Sequence, residues 1–264
     1  TKNAVDKVAL NIHNAVEGAD VVVLALPLSD VKEVLQQIAP DLREDVVILD
    51  TCATRRACEG WAQEYLPPGR YYVGFTPILN PDVLHVLEGG VKGASAELFK
   101  DGYFAISVSP RVPSEAIELA TSLTGYLGAK PFFAEIGEVD AFMMAVHTLP
   151  QTLSAVLINT TVENPGWDDV RRFAGRPFAQ TSAPIANTDT PEALAEAVLA
   201  NQDTFLRMLD GITQTLDEIR DASDPGAYIF TFSPSLLGVR GLTRIFIVDS
   251  RGELVSYGNL FIDQ

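Results

Sequence analysis

The chain has 264 residues, 47% of them hydrophobic, enough to bury the cores of one large or two ordinary domains. Its formal net charge of -16 repels phosphate backbones and anionic headgroups, so neither nucleic acid nor a membrane is an expected partner. There is no unbroken apolar run of about 18 residues, so no membrane span is expected, and TKNAVDKVAL lacks the apolar centre of a signal peptide.

In chain order, DKVALNIHNAVEGAD reads as a short strand or loop leading into the first strong strand, Val21 to Pro27 (VVVLALP). That run is continuously apolar, as in a parallel strand buried on both faces. In SDVKEVLQQIAPDL, Val31, Val34, Leu35 and Ile38 fall at helical spacing, with Ser29 or Asp30 as N-cap. A second buried strand runs from Val46 to Asp50, and a helix from Arg55 to Tyr65 ends at Leu66-Pro67-Pro68-Gly69. The strand YYVGF, the loop TPILNPD, the strand YFAISVSP from Tyr103, the helix SEAIELATSLTGYLG and the short strand KPFFAE follow. Alternation of strands and helices predicts a doubly wound, Rossmann-type parallel sheet over residues 1–137.

From Glu138 the pattern turns helical, and residues 138–264 are expected to form an all-helical C-terminal domain with a short terminal hairpin. EVDAFMMAVHTLPQTLSAVLINTTV reads as one long helix that should kink or break at Pro150. PEALAEAVLANQDTFLRMLDGITQTLDEIRDA reads as another, opened by Pro191. Leu194, Val198, Phe205, Leu209, Ile212, Leu216 and Ile219 form its near-heptad stripe. The stripe either packs within its own domain or forms a helix–helix dimer seam. LTRIFIVDSRGELVSYGNLF predicts two strands around Ser250-Arg251-Gly252.

A dinucleotide fold begins with a strand, a glycine-rich turn and a helix, and the turn holds the pyrophosphate. No GxGxxG occurs in the chain, and the glycines of EGGVKGA near Glu88 do not fit that role. The sheet is therefore expected to lack its first strands, which leaves VVVLALP at an edge. Roughly 30–50 residues, one strand–helix–strand unit, are expected to precede Thr1. Cys52 and Cys58 are the two cysteines; they lack partners for a metal site or a disulfide framework and read as small unreactive residues of a reducing, cytoplasmic protein. No metal is expected.

The order of these motifs over Val5 to Ala222 resembles the prephenate/arogenate dehydrogenase family of tyrosine biosynthesis. The resemblance rests on AVEGADVVVLALPLSDVKEVLQQIAPDL, VVILDTCATRR, YYVGFTPILNPD, GASAELFKDGYFAISVSP and LGAKPFFAEIGEVDAFMMAVHTLPQTLSAVL. It implies an NAD- or NADP-dependent oxidoreductase with a small, carboxylate-bearing substrate and a homodimer through the helical domain. The family's D-x-G-S-V-K motif stands here as Asp50-Thr51-Cys52-Ala53-Thr54-Arg55, with Ala53 at the serine. Its G-H-P, whose histidine takes the substrate hydroxyl proton, stands as Gly74-Phe75-Thr76-Pro77, with Thr76 at the histidine. Its S-H-L-P-H stands as His147-Thr148-Leu149-Pro150-Gln151. The histidine comes one position early, a rotation of about 100° on a helix. Its carboxylate-gripping arginine is replaced within Ser182-Ala183-Pro184-Ile185-Ala186.

By this resemblance the catalytic positions are Thr76 and His147, and the substrate-binding ones Ala53, Thr54, Arg55, Thr148 and Gln151. Leu26, Pro27, Leu28, Ser29, Asp50, Thr51, Cys52 and Pro77 are the cofactor-binding ones. His147 reads equally as a hydrogen-bonded core or interface residue, and His85 as a substitute base or a surface residue. Arg55 and Arg56 follow the second strand and would receive a carboxylate or phosphate, or else begin a solvated helix. Arg171, Arg172 and Arg176 are further cations of the helical half. Four altered motifs point to a divergent oxidoreductase with another substrate or weak activity. The alternative is a non-catalytic ligand-binding or regulatory dimer on the same fold.

Overall fold

A computed structural model of the chain describes residues 5–84, 93–186, 191–221, 228–229, 242–248 and 254–261. By contacts the chain divides into two compact units, Thr1–Phe205 and Leu206–Gln264.

The first unit is built on a five-stranded sheet in the order β1 (Val21–Leu24), β2 (Val47–Asp50), β3 (Tyr71–Ile78), β4 (Tyr103–Val108), β5 (Lys130–Phe133). Helices α1 (Ile12–Val16), α2 (Leu28–Ile38) and α3 (Arg55–Tyr65) cover one face, and α5 (Ser114–Tyr126) the other. α4 (Pro81–Leu84) is a single turn after β3. β2 is buried along its whole length: Ile48 joins Val22, Leu24, Val31 and Leu35 on the first face, while Val47 and Leu49 join Val73, Phe75 and Ile106 on the second. β1 stands at the sheet edge, and Val23 on its second face is 52% exposed, so this strand is not buried on both faces.

Two expectations are corrected here. The stretch before β1 is the short helix α1, not a strand, because Asn11 caps it: Asn11 Oδ1 accepts from the Asn14 N–H at 2.8 Å. The sheet is also mixed, since β3 and β4 are antiparallel while the other pairs are parallel. The cause is local. Ile78 at the end of β3 pairs with Tyr103 at the start of β4, so the chain re-enters the sheet at the end it left. Gly102 permits this, because a Cβ there would lie 2.5 Å from the Ile78 carbonyl oxygen. EGGVKGA around Glu88 falls mainly outside the described residues.

The helical segment begins with α6 (Ile136–Met143), continues as a π-helical turn over Met144–Thr148, and runs on as α7 (Leu149–Val162). The break expected at Pro150 takes this form. Proline lacks an N–H and its ring crowds the carbonyl four residues back. The chain widens just before it, and the Leu149 N–H reaches back to the Met144 carbonyl. Ile136–Val162 is thus one stretch of 27 residues whose most apolar window has a mean hydropathy of 1.4. By length and composition it is long enough to cross a membrane; a search for unbroken apolar runs misses it because polar residues interrupt it.

α8 (Trp167–Val170) leads to α9 (Arg176–Ala186), which contains Pro184. Ser154 of α7 splices into its ladder there, donating to the Thr181 carbonyl at 2.9 Å and accepting from the Ile185 N–H at 3.4 Å. The stretch read as one long C-terminal helix is two, α10 (Pro191–Ala200) and α11 (Gln202–Asp221). Asn201 interrupts them: its N–H turns back to Val198 while its carbonyl starts the next helix, accepting from Thr204 and Phe205.

In the second unit the backbone of β6 (Tyr228–Ile229), β7 (Leu242–Val248) and β8 (Leu254–Phe261) forms an antiparallel sheet in that order. The expected terminal hairpin is β7–β8, with β6 added; its turn at Ser250-Arg251-Gly252 lies outside the described residues.

Candidate functional site

The C-terminal ends of β1, β2 and β3 open into a cleft of about 360 Å³, where ligands bind in open α/β sheets. Its floor is made of Leu26, Pro27 and Leu28 after β1, Thr51, Cys52, Ala53 and Thr54 after β2, and Thr76 and Pro77 in β3. Met143, His147, Thr148 and Gln151 of the α6–α7 stretch form a wall, and Ala193, Leu194 and Ala197 of α10 close one side.

Most of the expected site residues therefore meet. His147, which the sequence places one position early, lies in the π turn and lines the cleft together with Thr148. Gln151 Nε2 lies 3.4 Å from His147 Nδ1, one turn on. The Thr76 hydroxyl is buried and donates to the Cys52 carbonyl at 2.9 Å. The Thr51 hydroxyl donates to the Leu24 carbonyl at 3.1 Å and fastens the β2 loop to β1.

Three expected residues lie elsewhere. Ser29 is exposed, its hydroxyl donating to Asp30 at 3.0 Å. Asp50 is wholly buried beneath the cleft, where Oδ1 accepts the Cys52 N–H at 2.9 Å and Oδ2 accepts from the Tyr72 hydroxyl. Arg55, expected to receive a substrate carboxylate, is 1% exposed. It donates to Asp50 Oδ2 at 3.0 Å and to the Asp50 carbonyl at 2.9 Å. Burial comes first and pushes the Tyr72 phenol well above its ordinary value, with the Asp50 carboxylate adding to it. The Arg55 guanidinium opposes that rise. Gly74 makes room for the network, because a Cβ there would lie 2.9 Å from Arg55 Cδ and closer still to Ser107 Oγ. Arg55 and Asp50 thus shape the loop Thr51–Thr54 from below.

The other singled-out cations stand outside the cleft: Arg171 pairs with Asp168 at 3.3 Å and Arg172 with Asp169 at 3.4 Å, both on the surface. His13 is an exposed partner of Asp41, and His85 lies outside the described residues. No arginine or lysine is among the described residues lining the cleft. Nor do the described residues hold a cluster of histidine, cysteine and carboxylate side chains suited to a metal ion.

The nucleotide-binding domain of prephenate dehydrogenase matches residues 1–132, and the prephenate dehydrogenase dimerization domain matches residues 137–226. The chain belongs to the prephenate dehydrogenase family. The cyclohexadienyl dehydrogenase of Zymomonas mobilis is 24% identical over 231 residues, 86% of this chain and 76% of that one. The prephenate dehydrogenase of Lactococcus lactis is 26% identical over 207 residues, and the match spans 76% of this chain but 54% of the relative. In fold, the prephenate dehydrogenase of Aquifex aeolicus, solved with hydroxyphenyl propionate and NAD+, matches with a TM-score of 0.67 at 16% identity, covering 82% of this chain and 75% of that one. Synechocystis arogenate dehydrogenase gives 0.62 at 19% identity, over 81% and 74%.

Within the prephenate dehydrogenase family the cleft acquires a frame: the floor belongs to the nucleotide-binding domain, and the walls to the segment that matches the dimerization domain. Met143, Ala193, Leu194 and Ala197 were not read from the sequence as site residues. Alanines carry no chemistry that marks them. The one usable signal is the Ala193–Ala197 spacing, which puts two small side chains on one helix face. Leu194, read as the first residue of the stripe that packs within its domain or forms a dimer seam, lines the cleft.

Proposed function

We propose that the chain is that of a nicotinamide-dependent dehydrogenase of the cytoplasm, acting on a small cyclohexadienyl-type substrate that bears a carboxylate. Prephenate and arogenate are the first candidates, and NAD and NADP the cofactors. The observation that carries the reading is the cleft itself, in which the ends of three adjacent parallel strands meet His147, Thr148 and Gln151.

The floor suits the nicotinamide–ribose end of a dinucleotide: Leu26 and Pro27 offer apolar surface, with Met143 of the wall beside them, while Thr51, Cys52 and Thr54 bring backbone and hydroxyl groups. When bound, the cofactor supplies the hydride acceptor. The chain's own part is to position the substrate, exclude water and remove a proton. In this reading His147 removes the hydroxyl proton, and Gln151, within reach of Nδ1, fixes the ring. Thr76, whose O–H is committed to the Cys52 carbonyl, offers only its lone pairs and cannot serve as a base at neutral pH. With a threonine at the family's histidine and no cation among the described lining residues, the activity toward prephenate and arogenate is weak or directed to a related substrate. The same two features favour the second reading, a non-catalytic ligand-binding or regulatory dimer.

The homodimer is proposed through the helical segment. Phe142, Val146, Leu153 and Val156 recur at helical spacing along Ile136–Val162 and are all exposed. Calorimetric titration of NAD and NADP into the full-length protein, followed by assays with prephenate and arogenate, tests the function. Cofactor binding with turnover supports the dehydrogenase, and absence of turnover, with or without cofactor binding, supports the second reading.

A further inference from the structure

Another cavity, of about 470 Å³, opens at the end of the sheet away from the cleft, between the second half of α3, the turn that enters β3 and the segment after β4. Its place follows from the antiparallel pairing. β4 runs back along β3, so Ser109, Arg111 and Val112 emerge beside Tyr71 and Tyr72, where β3 begins. The cavity shares no lining residue with the cleft.

Its lining combines apolar surface with positive charge. Leu66, Pro67, Pro68, Tyr72 and Val112 supply the first, and Arg70 and Arg111 the second. Glu59 is the one carboxylate among the described lining residues, and its Oε1 already accepts from the Gln63 amide at 3.0 Å. Arg111 is exposed and forms no ion pair among the described residues. In a chain of net charge -16, an anion is held only where cations gather.

The walls are preformed. Arg70 donates to the Leu42 carbonyl from Nε at 3.1 Å and from Nη2 at 2.7 Å, and to the Pro68 carbonyl from Nη1 at 2.9 Å. These bonds fix the guanidinium without neutralising it. Tyr72 donates its hydroxyl to Asp50, which Arg55 holds at 3.0 Å, so the ring cannot swing away. Pro67 and Pro68 stiffen the turn, so a ligand entering the cavity has little of it to order.

We propose that this cavity is a second ligand site, which takes a small organic carboxylate with an apolar ring or chain. Arg111 receives the carboxylate, whose two oxygens match the planar fork of a guanidinium. Arg70 adds fixed positive charge, and the apolar body lies against Pro67, Pro68 and Tyr72. A ligand of the same shape carrying an ammonium group is repelled. The site stands apart from the cleft and does not depend on the reaction performed there.

The test titrates 4-fluorobenzoate into the intact protein and follows its fluorine resonance, with 4-fluorobenzylamine as the cationic counterpart. Two variants probe the cavity at exposed positions: Arg111→Met removes the charge, and Gln63→Trp fills the space. His147→Asn probes the cleft, and circular dichroism checks that each variant is folded. The expected result is saturable binding of the carboxylate and none of the amine. Arg111→Met should weaken it about tenfold, the worth of one charge-assisted hydrogen bond. Gln63→Trp should abolish it, and His147→Asn should leave it unchanged. No saturable binding to wild type, binding indifferent to either cavity substitution, loss in His147→Asn, or equal binding of the amine would each overturn the proposal.

Discussion

Asp140, on α6, accepts the backbone N–H of Arg55 at 2.5 Å and thereby caps α3 from an element 85 residues away in sequence. The second carboxylate oxygen takes the Arg56 N–H at 3.1 Å. The wall of the cleft that carries His147 is thus fixed to the helix that follows its floor.

Asp140→Ala leaves two N–H groups at the start of α3 without their acceptor, and should destabilise the fold by about 1–3 kcal/mol in urea unfolding. The pH dependence has a definite sign. Burial raises the Asp140 carboxyl above its ordinary value, while the Arg55 and Arg56 N–H groups oppose the rise. A raised folded value favours the protonated form, so its contribution is present in full below the unfolded value and is lost as pH rises through the folded one. The stability of wild type relative to Asp140→Ala should therefore improve on acidification toward the usual carboxyl range. A difference that shrinks instead would contradict this account of the cap.

Arg55→Met should destabilise by roughly 3–5 kcal/mol, because it leaves the Asp50 carboxylate buried without its cation. Its companion Arg55→Met/Asp50→Leu should recover part of that loss, since it removes the orphaned charge as well. Chemical denaturation of the single and double variants measures both.

Val146→Asp, placed on an exposed apolar position of Ile136–Val162, should convert a dimer to a monomer in light scattering at micromolar concentration, with unchanged far-UV circular dichroism. Leu216→Asp on α11 serves as the comparison. If it alone breaks the dimer, the seam lies on the C-terminal stripe.

The Cys52 thiol, lowered to about 7 chiefly by the influence of Cys58, should react with iodoacetamide in the native protein along a pH profile centred near that value. In Cys58→Ala, which removes the neighbouring thiol, the midpoint should move upward.

The sheet and the cleft floor were legible because their signals are local. The apolar run ending at Asp50 and the helix Arg55–Tyr65 stand where periodicity and Pro67 put them. Ligand-facing positions then follow from the strand ends. What escaped depends on distant partners or on direction. Periodicity does not tell a parallel from an antiparallel strand, so β4 needed the Ile78–Tyr103 pairing to reveal its sense. Arg55 looks like a ligand-gripping cation until Asp50 and Tyr72 are seen around it. Ala193 and Ala197 enter the cleft by shape alone, and the turn at Asn201 needed only one polar residue to divide the helix.

The central claim is that the cleft retains a dehydrogenase scaffold with an altered base. Steady-state kinetics of the full-length protein with prephenate and arogenate, comparing wild type with Thr76→His and His147→Asn, tests it most directly. The account predicts slow wild-type turnover, a gain in kcat for Thr76→His toward the roughly 10²–10⁴-fold usual for a general base, and a loss for His147→Asn. Ordinary wild-type rates that neither substitution changes would contradict it.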